Sequence, residues 1–93
     1  MTPAITIRHS RHEDGPAVLR LAQLDDRPVP QGEKLLAFVN GELAAARPID
    51  KGMAVADPFR RTKEILEMLD LRAKQERKAD GRAFARRRRL LAV

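Results

Sequence analysis

These 93 residues predict an α+β fold: an antiparallel sheet of three or four strands, one helix between the first two strands, and a long helix after the last. Three observations lead there. Ile5-Thr6-Ile7-Arg8 alternates with period two, an apolar run turns back at Asn40-Gly41, and apolar residues recur at helical spacing after Asp57-Pro58. A chain of this length fits one domain, with enough buried surface for one sheet covered on one side by helices.

The first strand follows from Ile5 and Ile7 standing on one face and Thr6 and Arg8 on the other. Ser10 with Glu13 has the form of a capping box, and Val18, Leu21 and Ala22 then repeat as one helical face. Pro16 is tolerated only near a helix start, so the first turn belongs at His12 to Asp14 and the helix ends near Leu24. A connector, Pro28-Val29-Pro30-Gln31-Gly32, follows.

The run from Lys34 to Val39 is apolar on both faces, as a central strand covered on two sides would be. Asn40 and Gly41 tolerate the positive φ of a type I′ turn, so Glu42 to Arg47 reads as the returning strand. Pro48 to Gly52 supplies a second turn, and Met53 to Ala56 a short final strand. Asp57-Pro58 has the form of a helix opening. Phe59, Ile65, Leu66 and Leu69 then make the buried stripe, with Met68 and Leu71 on its flank. Arg60 with Glu64 and Lys63 with Glu67 are spaced as exposed ion pairs, and Asp80-Gly81 reads as the stop.

Composition excludes several kinds of chemistry. With no cysteine there is no disulfide, thiolate nucleophile or Cys-ligated zinc. Tyr and Trp are absent, and three Phe leave the core to Leu, Ile, Val and Ala. The first eight residues lack the basic flank and apolar run of a signal peptide, and no stretch reaches the roughly 20 apolar residues of a membrane span. A cytoplasmic address is expected.

The net charge of +6 is unevenly placed. Residues 1–72 hold eleven bases and eleven acids, whereas residues 73–93 hold eight bases against Glu76 and Asp80, which is the whole excess. The chain divides into a domain, residues 1–80, and a basic tail, residues 81–93. Within the tail, Arg82, Arg86, Arg87, Arg88 and Arg89 are the candidate polyanion-binding residues, suited to RNA or DNA phosphates or an acidic lipid surface. A solvated tail that raises solubility is the plainer alternative. Only Phe84 interleaves an aromatic ring with these arginines, so base stacking has little support.

The order strand, helix, strand, Asn-Gly turn, strand over residues 4–57 resembles the first half of the GNAT-type N-acetyltransferases. Ile5-Thr6-Ile7-Arg8 with Glu13-Asp14 is similar to that family's opening strand and acidic helix start, and the segment from Leu36 to Ala46 to its second and third strands. The resemblance implies half of an acetyltransferase fold. The family holds acetyl-CoA on a later Gln/Arg-x-x-Gly-x-Gly/Ala segment at a helix amino terminus, where glycines let backbone amides reach the pyrophosphate. Here Gly52 and Gly81 are isolated, Asp57-Pro58 opens the expected helix with an acid and without one amide, and the family's tyrosine acid has no counterpart. No cofactor is therefore expected, and none of the family's functional residues carries over.

His9, His12, Glu13 and Asp14 could be offered as metal ligands or an acid/base pair, but they read as an exposed strand-to-helix turn with no second ligand segment. Asp25 and Asp26 read as solvated loop carboxylates rather than a dyad, and no Ser, His and Asp set forms a nucleophile motif. A half fold leaves sheet edges open, and the alanine-rich strand from Leu43 to Ala46 is the edge expected to bind a second copy in a homodimer. The expected function is a non-catalytic GNAT-related module acting through protein association. The alternatives are an acetyl-CoA-dependent N-acetyltransferase completed by a partner chain and a nucleic-acid accessory protein using the tail.

Overall fold

The computed structural model describes residues 4–50 and 52–91, the side chains of residues 80–91 excepted. In chain order the elements are β1 (Ile5–His9), a 3-10 turn (His12–Asp14), α1 (Gly15–Leu24), β2 (Lys34–Val39), β3 (Glu42–Pro48), β4 (Val55–Ala56) and α2 (Lys63–Leu91). The four strands form one antiparallel sheet in the order β1-β2-β3-β4.

Helices lie on both faces of the sheet, not on one. The reason is β2, whose two faces are both apolar. Leu35, Ala37 and Val39 pack with Ile65, Leu69 and Ala73 of α2, while Leu36 packs with Val18, Leu21 and Ala22 of α1. The buried surface is thus split between two thin cores, each built from small and medium side chains.

The β2–β3 hairpin turns on Asn40 (φ 51°) and Gly41 (φ 84°), the two left-handed residues a type I′ turn needs. A bulge follows. Ala37 opposes Ala45 and Phe38 opposes Leu43, which leaves Ala44 as the extra residue in β3. Ala44 and Ala45 consequently join the same core beneath α2, both fully buried, and their small size lets the helix approach the sheet. This strand is interior, between β2 and β4, so the expected docking edge from Leu43 to Ala46 is already occupied. The open edges belong to β1 and β4 instead.

The first turn lies at His12–Asp14 and α1 ends at Leu24, as expected, but its capping pair and the start of the second helix differ from expectation. The first turn is closed by Asp14, which accepts from the Arg11 amide at 2.6 Å, so the box is shifted one residue from Ser10 and Glu13. At the second helix, Asp57 does not cap. Its Oδ1 accepts from the Phe59 amide at 2.8 Å, and its carbonyl accepts from the Arg60 amide at 3.2 Å. An aspartate bonding its own near backbone makes a turn rather than a helix. The helix begins at Lys63, with the Thr62 carbonyl accepting from the Leu66 amide at 2.8 Å. Phe59 is accordingly 83% exposed and lies outside the stripe, which consists of Ile65, Leu69 and Ala73.

Arg60 also falls outside the helix, where it pairs with Asp57 and Glu42 rather than Glu64. Among the described residues the i, i+4 ion pair on α2 is Arg72 with Glu76, at 3.3 Å, not Lys63 with Glu67. At the far end α2 runs through Asp80-Gly81 to Leu91, since a lone glycine costs only about 1 kcal/mol in a helix.

Candidate functional site

Three places bring functional groups together. The first is the junction of β1 and α1. Arg8 Nη1 and Nη2 donate to Asp14 Oδ2 and Oδ1, each at 2.8 Å, and the Arg8 Cζ lies 4.7 Å from the centroid of the Phe38 ring. Asp14 is the buried charged residue of the core among the described residues. The guanidinium bond, helped by the Arg11 amide, outweighs burial and lowers the Asp14 carboxyl from 3.8 to about 2. A carboxylate so paired is a fixed anion, unsuited to proton transfer near neutrality.

Beside it, His9 Nε2 donates to Glu76 Oε1 at 2.7 Å, tying β1 to α2. His9 thus faces α2 while Asp14 faces the α1 side, so the histidine and carboxylates adjacent in sequence do not converge. Among the described residues no three His, Asp or Glu side chains form a group able to hold a metal ion.

The second place is the end of α1. Asp25 Oδ2 accepts from the Ala56 amide at 3.1 Å and lies 3.3 Å from Arg27 Nε. Asp26 takes a left-handed φ of 52°, and the Arg27 amide donates back to the Ala22 carbonyl at 3.0 Å. These are the marks of a Schellman helix end. Asp25 pins α1 to β4 and is not the solvated loop carboxylate that adjacency suggested, whereas Asp26 is exposed and closes the helix through its backbone alone.

The third place is a groove of about 720 Å³ between the Ile5 end of β1 and the start of α2, lined by Ile5, Val39, Arg60, Arg61, Lys63 and Ile65 among others. Its lining joins apolar Ile5, Val39 and Ile65 to Arg60, Arg61, Lys63 and the acid Glu64, with Arg60 already paired to Asp57 and Glu42. The expected obstruction, an acid and a proline at the helix opening, is not here: Asp57 and Pro58 lie in the preceding turn, and the helix is headed by Lys63, Glu64 and Ile65. The objection drawn from Asp57 and Pro58 therefore does not apply to this helix start, but Glu64 still places an acid in its first turn. No glycine lies between residues 53 and 80, so the close backbone approach of a glycine-rich loop is still lacking.

Arg82, Arg86, Arg87, Arg88 and Arg89 lie on α2, but their side chains are outside the described residues. The sequence did not single out the Arg8–Asp14 pair, the Arg47–Asp70 pair linking β3 to α2, or the Arg60 cluster. Each joins segments far apart in the chain or across a turn whose geometry the residue types alone do not fix. Among the described residues no helix is long and apolar enough to cross a membrane. Comparison with protein-family models, with curated proteins and with solved structures finds no match.

Proposed function

We propose that this chain is a non-catalytic, GNAT-related association module whose exposed β1 edge pairs with another protein strand. The supporting observation is the hydrogen-bond phase of β1. Asn40 N donates to Ala4 O at 2.9 Å and Ser10 N to Lys34 O at 2.8 Å, which turns the even residues toward β2. The N–H and C=O groups of Ile5, Ile7 and His9 then point away from the sheet. An outer edge of this kind is a template for strand addition. The edge carries no proline and no acid.

Ile5→Pro tests the reading. Position 5 starts the strand and its amide makes no ladder bond, so proline removes an outward donor while sparing the β1–β2 pairing. Chemical cross-linking in the source cells should yield a stoichiometric partner with the native chain and lose it with Ile5→Pro. A partner retained by Ile5→Pro would refute the edge.

A second reading, an acetyl-CoA-dependent N-acetyltransferase completed by a partner chain, is favoured by the groove at the start of α2. Thermal protection by acetyl-CoA, lost in Arg61→Glu, would support it; no shift at millimolar acetyl-CoA would reject it.

A further inference from the structure

We propose that α2 is a self-pairing helix, which docks antiparallel on α2 of a second copy. The inference rests on the association reading and names one partner and one surface for it. Ile65, Leu69 and Ala73 face the sheet, yet Met68 is 44% and Leu71 59% exposed on the side of α2 turned away from it. Glu64, Met68, Leu71, Gln75 and Lys78 follow the alternating four-and-three spacing of a two-helix seam, and the same spacing continued along the sequence falls at 82, 85 and 89.

Charge decides the direction and the occupant. From Lys63 to Leu71 the helix holds Glu64, Glu67 and Asp70 against Lys63, whereas from Arg72 to Leu91 it holds nine bases against Glu76 and Asp80. Parallel pairing of two such helices would set acid beside acid and base beside base. Antiparallel pairing sets the acidic half against the basic half of the partner. In the register that places Glu64 opposite Arg89, Glu67 stands opposite Arg86, Met68 opposite Ala85 and Leu71 opposite Arg82. The same oppositions recur beyond the twofold axis, so the surface is complementary to itself and closes as a dimer. A seam with only two large apolar residues per helix binds weakly and depends on salt.

Sedimentation velocity of the full chain tests this at about 50 mM and about 500 mM salt, between which the screening length shortens roughly threefold. The native chain should be dimeric at low salt and shift toward monomer at high salt. Glu64→Arg with Glu67→Arg should give a monomer, Arg86→Glu with Arg89→Glu likewise, and an equimolar mixture of the two should recover a dimer. Far-UV circular dichroism of each variant separates lost pairing from lost folding. A native chain that stays monomeric at about 100 μM and low salt overturns the inference, since weak pairing at a typical Kd of tens of micromolar would show there. So does a dimer that withstands both charge reversals. If that dimer dissolves instead on Ile5→Pro, the edge reading survives and the helix pairing alone has failed.

Discussion

Arg8 and Asp14 meet through two parallel hydrogen bonds of 2.8 Å, joining the end of β1 to the turn that launches α1, with the guanidinium lying over Phe38. The strand places Arg8 on the face of Leu36, and the Asp14 carboxylate reaches back to the Arg11 amide at 2.6 Å. One charged pair therefore fixes where the helix begins and how it leaves the sheet. Planar two-point pairing of this kind is the stronger form of an ion pair.

The pair makes stability depend on acid. The carboxyl sits at about 2 when folded against 3.8 ordinarily, so the unfolded chain binds the proton more readily. The contribution is fully present above about pH 4 and is lost as pH falls through about 2. Discounted for solvent around the partly exposed Arg8, it is about 1 to 2 kcal/mol. Urea unfolding at neutral pH should find Asp14→Asn less stable than the native chain. The gap should narrow at pH 3 and close near pH 2; a gap constant with pH would show that the carboxylate charge is not what stabilises the turn.

Gly52 should resist substitution more than Gly41, although Gly41 sits in the tighter turn. Gly41 has a φ of 84° with open space around an added Cβ, so Gly41→Ala costs about 1 kcal/mol of backbone strain alone. Gly52 has a φ of 131°, a region other residues scarcely enter, and its Cβ would meet Pro48 Cγ at 3.1 Å. Thermal unfolding should show Gly52→Ala the more destabilised, by about 1 to 3 kcal/mol in all. Equal midpoints for the two variants would contradict the cited geometry.

Leu69 and Phe59 separate the buried stripe from its sequence appearance. Leu69 of α2 is fully buried against β2 and β3, and Leu69→Ala should cost about 2 to 5 kcal/mol. Phe59→Ala should fall within about 0.5 kcal/mol of the native chain, because Phe59 is 83% exposed. Denaturant midpoints decide it. A large loss at Phe59 would return that ring to the core.

These residues also show what the chain discloses before it folds. Strand phase at Ile5–Arg8, the Asn40-Gly41 turn and the spacing of Leu69 all follow from local rules, so strands and their order were legible. Where α2 begins was not. Asp57-Pro58 fits both a helix start and an aspartate turn; in the turn that forms, Arg60 meets Asp57 and also Glu42 on β3, a contact 18 residues apart. The candidate site inherits the same difficulty. The groove exists only because α2 starts at Lys63 and leaves Arg60 and Arg61 on its rim, which no spacing rule anticipates.

Arg47 and Asp70 offer the last check, on how α2 is held to the sheet. Arg47 stands on the α2 face of β3 opposite Leu35, its side chain 15% exposed, and donates through Nε to Asp70, whose side chain is 54% exposed. The asymmetry in burial predicts an asymmetry in cost. Asp70→Ala removes an exposed charge and leaves Arg47 its bond to the Pro48 carbonyl, so the loss should be about 0.5 to 1 kcal/mol and shrink with added salt. Arg47→Ala strips the packed stem from beneath the helix as well as the charge, and should cost about 2 kcal/mol or more. Arg47→Met keeps most of the stem and should recover most of that loss, independently of salt. If Arg47→Met were instead as unstable as Arg47→Ala, the ion pair rather than the packing would be what fastens α2 to β3.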